Sequence, residues 1–232
     1  MSPNMSISKI VIIGDGPFAE IAYEYFTNDS EYSVVGFSVE KEFLTRTEFH
    51  NLPVYPFEDL EKFENNQETG FFVAIPYNQL NRLRTRLYLS LKSRGYQPLS
   101  YVSSRAFVWQ NVILGEHVFI FENNVVQPFV EIGSNTVLWS GNHIGHHSKI
   151  HSNCFISSHV VLSGFTEIGN GSFLGVNSTI SNNVSIGSDN FVGIGAVITK
   201  NTSTGIVTKG EASKSASLDS YTYFKIDHHE LG

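Results

Sequence analysis

The residues with the clearest chemical potential are histidines clustered near the middle of the chain. Three of them, His143, His146 and His147, fall within the segment NHIGHH, and His151 and His159 follow. Imidazole titrates close to neutral pH, so histidine is the side chain that most often acts as a general base. Three histidines in five residues are hard to explain by packing. We therefore expect these three to form a reactive site, and His151 and His159 to lie on an outer wall.

Composition and charge exclude several classes of partner. The chain has 232 residues, of which 41% are hydrophobic and 16% charged, and its formal net charge is −7. This acidic balance argues against a nucleic acid or an anionic membrane surface as partner. No apolar run is long enough to span a bilayer, and the first residues, MSPNMSIS, lack the features of a signal peptide. The one cysteine, Cys154, fits a reducing cytoplasm and is interpreted as a small buried residue.

The first hundred residues predict a small α/β unit. The sequence predicts strands over 9–13, 32–37 and 71–75, and helices over 18–26 and 79–94, the second of which ends at Gly95. The loop Gly14-Asp15-Gly16-Pro17 joins the first strand to the first helix and is suited to hold a phosphate at the helix N-terminus. We interpret residues 1–100 as a Rossmann-like βαβ domain.

The second half has a period of six. Val, Ile or Leu recurs without a slip at positions 102, 108, 114, 120, 126, 132, 138, 144, 150, 156, 162, 168, 174, 180, 186, 192 and 198. Three hexads make one coil of a left-handed parallel β-helix, with the aliphatic anchor pointing inward on each face. We predict this β-helix over residues 101–205. Glycine often follows the anchor, as at Gly115, Gly133 and Gly145, where we expect unusual backbone angles.

The remaining residues, 206–232, are predicted to form a C-terminal cap. The coils of a β-helix expose strand edges at their open end, and these edges need cover. Tyr221, Tyr223 and Phe224 are suited to pack there.

These features together resemble the hexapeptide acyltransferases that carry an N-terminal Rossmann-like domain, the sialic acid O-acetyltransferase-like family. The segments KIVIIGDG, SGNHIGHHSKI and FISSHVVLSG resemble in particular its nucleotide-aminosugar N-acetyltransferases, such as that of the bacillosamine pathway. The resemblance implies a cytoplasmic homotrimer that binds acetyl-CoA between neighbouring β-helices and needs no metal. It also implies an acceptor such as a nucleotide-linked 4-amino-4,6-dideoxyhexose, and a role in surface-glycan or lipopolysaccharide O-antigen biosynthesis.

The same resemblance assigns the residues for acetyl transfer. His146 takes the place of the general base, but His147 stands where the family has an acidic residue, so His147 or His143 remain alternatives for the base. The coenzyme contacts fall at Phe155, Val176 and Ile194. Residues 18 apart stack in adjacent coils, which puts Gly164 beside His146. We expect this glycine to leave room for the thioester arm and to offer its amide to the oxyanion.

The glycine loop is assigned to the nucleotide of the sugar. The predicted nucleotide-binding residues are Gly14, Gly16, Pro17, Phe18, Ser38 and Pro76. A dinucleotide site would require an acidic residue at the end of the second strand, and Glu40 comes late for that role, so NAD-dependent reduction is disfavoured. A purely structural βα turn remains the alternative interpretation of this loop.

Three other functions remain open at this point. The first is O-acetylation of a sugar hydroxyl by the same machinery. The second is a zinc hydratase of the γ-carbonic anhydrase type, since His146 and His151 have the spacing of its ligands, although the third ligand position, two coils upstream, is Gln110. The third is a non-catalytic nucleotide-sugar-binding scaffold, suggested by the histidine at position 147.

Overall fold

The computed structural model describes residues 7–226. Its N-terminal part consists of β1 (Lys9–Ile13), α1 (Pro17–Asn28), β2 (Ser33–Val39), β3 (Glu48–Phe49), β4 (Leu52–Pro56), β5 (Thr69–Val73) and α2 (Arg82–Ser93), with short 3-10 turns at Lys41–Phe43 and Phe57–Lys62. The predicted strand over 9–13 has the observed bounds of β1, the other two predicted strands and both predicted helices are present with shifted ends, and β3 and β4 were not predicted.

The start of α2 corrects the predicted helix over 79–94. Gln79, Leu80 and Asn81 have left-handed φ values of 51°, 50° and 65°. A right-handed helix cannot include such residues. The leucine spacing that predicted the helix therefore continues through a turn that is not helical.

The sheet has the order β3-β4-β2-β1-β5, and β1 pairs in parallel with β2 and with β5. The chain therefore leaves β1 toward one side of the sheet and later returns on its other side. In an open α/β sheet, ligands bind at the carboxyl ends of the strands where the order reverses in this way. The loop that contains Gly14 and Gly16 follows β1 at this point.

The β-helix is built from two-residue strands. They are β6 (Tyr101–Val102), β7 (Phe107–Val108), β8 (Ile113–Leu114), β9 (Phe119–Ile120), β10 (Val125–Val126), β11 (Glu131–Ile132), β12 (Val137–Leu138), β13 (His143–Ile144), β14 (Lys149–Ile150), β15 (Phe155–Ile156), β16 (Val161–Leu162), β17 (Glu167–Ile168), β18 (Phe173–Leu174), β19 (Thr179–Ile180), β20 (Ser185–Ile186), β21 (Phe191–Val192), β22 (Val197–Ile198) and β23 (Val207–Thr208).

Every predicted anchor is the second residue of one of these strands. Strands pair in parallel with partners 18 residues away, as in Val125 with His143 and His143 with Val161. The anchors from Ile120 onward are at most 6% exposed and form one continuous core. The predicted β-helix is confirmed, and its pairing continues to Thr208 through β23 and β21.

The turn geometry at the corners differs from the expected one. Gly115, Gly133 and Gly145 directly follow anchors, but their φ values are not left-handed. The residues with left-handed φ lie two positions after these glycines. From His117 to Gly195, the third residue after each anchor has this conformation. A Cβ on Gly145 would come within 2.6 Å of the Ser163 carbonyl carbon in the next coil. These glycines are therefore required by the close approach of successive coils and not by an unusual φ.

The outward positions of the strands define three faces. The docking face (β6, β9, β12, β15, β18, β21, β23) packs against the N-terminal part, and the apolar face (β7, β10, β13, β16, β19, β22) follows it along the coil. The charged face (β8, β11, β14, β17, β20) completes the coil. Its outward residues include Glu131 and Lys149, which form a 3.0 Å ion pair.

Aromatic side chains hold the two parts of the chain together. Phe119 and Phe155 point outward from the docking face and are buried in the same cluster as Phe18, Phe26 and Phe72 of the N-terminal part. Phe18, for example, lies 5.8 Å from Phe119 between ring centroids. The β-helix and the glycine loop therefore have a fixed relation to each other.

A buried histidine also joins the two parts. The Val73 N–H, at the end of β5, donates to Nε2 of His117 over 2.8 Å, and Nδ1 of His117 lies 3.0 Å from Oδ1 of Asn135. His117 is fully buried. Burial and the nearby Arg84 guanidinium lower the pKa of His117 to about 3.

This histidine predicts a pH-dependent stability. The unfolded chain gains a proton on His117 below about pH 6.5, while the folded chain does not until about pH 3. The free energy of unfolding should therefore fall as the pH decreases from 6.5, by up to about 1.4 kcal/mol per pH unit. Urea unfolding at pH 7, 6 and 5 and one protein concentration measures this slope.

The control for this prediction is a pair of variants at corners with the same backbone conformation. His117→Asn should lower the stability and flatten the slope, while His159→Asn, at an exposed corner, should leave the slope unchanged. An unchanged slope in His117→Asn would contradict the assignment.

The C-terminal segment does not pack as expected. Within the described residues it contains α3 (Ser220–Phe224), and Tyr223 and Phe224 are 68% and 69% exposed. Their rings contact each other at 5.0 Å between centroids and remain largely open to solvent. The predicted packing of these aromatics over the end of the β-helix is wrong for this part, and residues 227–232 of the predicted cap lie outside the described residues.

Candidate active site

His146 and His147 lie at the corner that joins the apolar face to the charged face. Nδ1 of His146 is 3.1 Å from Nδ1 of His147, which is hydrogen-bond distance. The backbone N–H of His146 donates to Oε1 of Gln127 over 2.9 Å. Both histidines are exposed. The corner therefore presents a hydrogen-bonded pair of imidazoles to solvent.

The His147 ring is held between two phenylalanines. His147 has a left-handed φ of 57°. Its ring stacks on Phe129 at 4.6 Å and on Phe165 at 4.8 Å between centroids. The Phe165 ring also meets His146 edge-on at 5.2 Å. Phe129 and Phe165 were not predicted as site residues, although they stand 18 positions before and after His147 and the coil register stacks them there.

Gly164 lies beside His146 as the 18-residue register predicts, but the space it leaves has another occupant. A Cβ on Gly164 would come within 2.7 Å of the His146 ring. The expectation that this glycine leaves room for a thioester arm is therefore wrong, because the imidazole itself fills that space. The Gly164 N–H makes no hydrogen bond within residues 7–226.

The other histidines are spread over the coil. His143 is half-buried on the apolar face, between Val125 and Val161 of the neighbouring strands. His151 follows β14 of the charged face, and its Nε2 lies 2.6 Å from Oε1 of Glu167. The His159 ring packs over Gly141 at a different corner. The structure thus brings His146 and His147 together. His143 lies three residues before His146, on β13.

The three residues predicted to contact the coenzyme lie in different surroundings. Phe155 is 4% exposed, and its ring packs against Tyr77 and Trp139 under the N-terminal part. The Phe155 ring is therefore unavailable to a coenzyme, since the docking face is covered. Val176 is half-buried and Ile194 is 70% exposed, and both lie at the corner between the docking face and the apolar face.

The glycine loop lies at the carboxyl end of the sheet. Gly14 has a φ of +120°, and its N–H donates to the Ser38 carbonyl over 2.8 Å, which ties the loop to the end of β2. Gly16 precedes α1, Pro17 is the first residue of the helix, and a Cβ on Gly16 would meet nothing within 4 Å. The N–H groups of Phe18 and Ala19, the first in α1 because Pro17 has none, have no hydrogen-bond acceptor within residues 7–226, which leaves them as candidate donors to an anion.

The remaining residues assigned to the nucleotide are partly built into the fold. Phe18 is 5% exposed in the aromatic cluster, so only its backbone faces the loop. Ser38 is fully buried, and its Oγ has no hydrogen-bond partner among the described residues. Pro76 accepts a 3.5 Å hydrogen bond from Nη1 of Arg84. Arg46, whose Nε lies 3.2 Å from Oδ2 of Asp15, adds a cation beside the loop that was not predicted.

The histidine pair and the glycine loop lie on opposite sides of one chain. The N-terminal part covers the docking face, while His146 occupies the corner between the other two faces. Phe18, next to the loop, contacts Trp139 at 5.2 Å, in the coil that leads to His146. Successive coils are about 4.8 Å apart. The two sites therefore share a height along the β-helix axis, but the body of the β-helix separates them.

Metal binding, a reactive cysteine and a membrane-spanning helix find no support within the described residues. No cluster of three or more His, Cys, Asp or Glu side chains in this part is arranged to hold a metal ion. The Cys154 thiol is fully buried, and burial raises its pKa to about 12, so it offers no thiolate at neutral pH. No helix between residues 7 and 226 has the length and apolar character needed to cross a membrane.

Known protein families and solved structures both contain matches to this chain. The bacterial transferase hexapeptide (six repeats) family matches residues 111–146 and 132–164. No curated protein sequence is significantly similar to the chain. A perosamine N-acetyltransferase from Caulobacter crescentus, in complex with CoA and GDP-perosamine, has a TM-score of 0.80 at 25% identity, covering 88% of this chain and 95% of its own.

Two further structures share the fold. PerB from the same organism, also with CoA and GDP-perosamine, has a TM-score of 0.79 at 25% identity over 88% and 95% of the two chains. The acetyltransferase domain of PglB from Neisseria gonorrhoeae has a TM-score of 0.79 at 22% identity over 88% and 97%. The predicted resemblance is confirmed. The chain combines hexapeptide transferase repeats with the two-part fold of these sugar acetyltransferases.

Proposed function

We propose that the protein is an acetyl-CoA-dependent N-acetyltransferase that acts on a nucleotide-linked amino sugar, such as a 4-amino-4,6-dideoxyhexose. The observation that carries this proposal is the His146 imidazole, which is exposed at a β-helix corner and held through Nδ1, so that Nε2 is free to take a proton. The relatives of the same fold that hold CoA and GDP-perosamine support it.

The chemistry follows from this imidazole. The sugar amine attacks the carbonyl carbon of the acetyl thioester, and a C–N bond forms while Nε2 of His146 takes the proton from nitrogen. The C–S bond then breaks, and the thiolate receives that proton to leave as the free thiol of CoA. The unpaired N–H of Gly164, beside the His146 ring, is our candidate donor to the oxyanion.

The position of His146 implies a site shared between subunits. The apolar face exposes Phe107 (51%), Val125 (36%), Val161 (38%) and Val197 (67%), a patch typical of a protein interface. If three chains turn this face toward a common axis, the His146 corner of one meets the Val176 and Ile194 corner of the next. The homotrimer so formed brings His146 to the side of the neighbour that carries the glycine loop, at the same height.

The nucleotide is assigned to the glycine loop of that neighbour. The diphosphate would lie in the open space beside Gly16 and accept hydrogen bonds from N–H groups at the start of α1 that have no acceptor within residues 7–226. The Ser38 hydroxyl, which is buried and has no hydrogen-bond partner among the described residues, lies at the adjacent end of β2. Arg46 adds positive charge near the phosphates.

We place this activity in the cytoplasm, within the biosynthesis of a bacterial surface glycan such as an O-antigen. A buried unpaired cysteine is compatible with a reducing compartment. An activated sugar that carries a free amine must come from an aminotransfer step, and the acetylated product serves a glycosyl transfer step.

The proposal is tested by thiol release from acetyl-CoA in the presence of UDP-, dTDP- and GDP-linked amino sugars. We expect release with one nucleotide class and none without an amino sugar. The absence of release with every nucleotide sugar, from a trimeric protein with native far-UV circular dichroism, would contradict the function.

A further inference from the structure

We infer that His147 is a positioning residue, whose neutral imidazole accepts a hydrogen bond from His146 while His146 takes the proton of the acceptor amine. This inference rests on the proposed function. Its starting point is the 3.1 Å separation of the two Nδ1 atoms. A hydrogen bond between two ring nitrogens requires that one carries a proton and the other a lone pair.

The direction of this hydrogen bond is fixed during transfer. When Nε2 of His146 takes a proton, both nitrogens of that ring carry hydrogen, and its Nδ1–H must donate. Nδ1 of His147 then has to be the acceptor, and the single proton of the His147 ring must lie on Nε2. His147 thus holds the His146 ring in orientation and stabilises the imidazolium, which is the role of an orienting group behind a catalytic base.

The surroundings of His147 restrict its ring to this role. The ring is stacked between Phe129 and Phe165 with interplanar angles of 27° and 18°, so it cannot turn away from His146 without losing both contacts. His147 has a left-handed backbone conformation at the corner of the coil, and its side chain lies in line with those of Phe129 and Phe165. The His146 ring is held in turn against Gly164.

The groups that face the pair do not titrate. Within residues 7–226, the contacts of the two rings with other residues are to Phe129, Phe165 and the backbone of Gly164, and the His146 amide contacts Gln127. Within the described part of one chain, no other titratable side chain hydrogen-bonds to the two imidazoles or stacks on them. Protonation of both rings removes every Nδ1 lone pair and breaks the hydrogen bond.

Three variants separate this role from simple packing. His147→Asn keeps an acceptor oxygen and suits the left-handed corner, as Asn153 and Asn177 show at equivalent corners. His147→Gly also suits the corner but has no acceptor. Both variants lose the ring between the phenylalanines. His151→Gln, on the charged face, is the control for loss of a histidine outside the pair.

The inference predicts different kinetics for these variants. In His147→Gly, kcat should fall by about tenfold to a hundredfold, with little change in KM, while His147→Asn should retain most of the activity. The acid limb of log kcat/KM should be steeper by one unit of slope in the parent protein, where both rings must be neutral, than in His147→Asn, since protonation of the acceptor amine contributes equally to both. Equal kcat in the Gly and Asn variants, with the parental slope in both, would overturn the inference.

A second measurement does not depend on activity. Long-range proton–nitrogen NMR with labelled histidine should show, in the parent at pH 8, one hydrogen-bonded Nδ1–H and one unprotonated Nδ1 for the pair. The hydrogen-bonded signal should be absent in His147→Gly. If the parent shows the pair but transfers no acetyl group, the proposed function fails and the hydrogen bond stands. If both rings carry only Nε2–H, the positioning role fails whatever the activity.

Discussion

His146→Ala should lower kcat for acetyl transfer by about a hundredfold to ten-thousandfold, the range for loss of a general base. The methyl group cannot take the proton from the attacking amine, and the amine must then lose it to water. KM for acetyl-CoA should change little, because the coenzyme contacts that we predict at Val176 and Ile194 do not include the His146 ring. Thiol release under saturating substrates measures the effect.

The fold should not be affected by this change. His146 is exposed, and its ring contributes no part of the aliphatic core inside the coils. The thermal midpoint and the oligomeric state of His146→Ala should therefore match those of the parent. His151→Ala is the matched control, since it removes an imidazole from the charged face and should retain activity. A His146→Ala variant with at least half of the parental kcat would exclude His146 as the base.

Mixed oligomers should recover activity that neither parent variant has. His146→Ala removes the proposed base, and Gly16→Asp places a carboxylate at the proposed phosphate-binding end of α1. Aspartate is a favourable residue at the position before a helix, and a Cβ on Gly16 meets no atom within 4 Å, so the second variant should fold. Its charge should repel the diphosphate and reduce activity to about 1% or less by disfavouring the bound anion.

A site built from two chains predicts the yield of this complementation. In random trimers of equal amounts of the two variants, a site is intact when its base comes from a Gly16→Asp chain and its loop from a His146→Ala neighbour. The chance is one half times one half, so about a quarter of the parental activity should return on co-expression. Mixing the purified variants without subunit exchange is the control. If both elements act within one chain, no activity returns.

The β-helix could be predicted in detail because each core contact joins residues at a fixed spacing along the chain. Each aliphatic anchor meets the anchors of the next coil, so a strict period of six in the sequence is also the period of the core. The role of the glycines was harder to predict, because the need at Gly145 arises from the backbone of the next coil and not from its own φ. The segment that contains β3 and β4 carries no strong alternation and was missed for that reason.

The candidate site was predictable in position but not in detail. The 18-residue register places Gly164 beside His146, and it also stacks Phe129, His147 and Phe165. Which way a ring turns, however, depends on the contacts that it makes. The register alone could not show that the His146 ring fills the space over Gly164, or that the N-terminal part covers Phe155.

The measurement that tests the central claim most directly is a comparison of two acceptors that differ in one atom. The purified protein is given acetyl-CoA and either a nucleotide-linked 4-amino-4,6-dideoxyhexose or its 4-hydroxy analogue, and the products are identified by mass spectrometry. The account predicts one acetyl group on the amino sugar, with one thiol released per product, and no product from the hydroxy sugar. Acetylation of the hydroxy sugar at a comparable rate, or no acetylation of either, would contradict it.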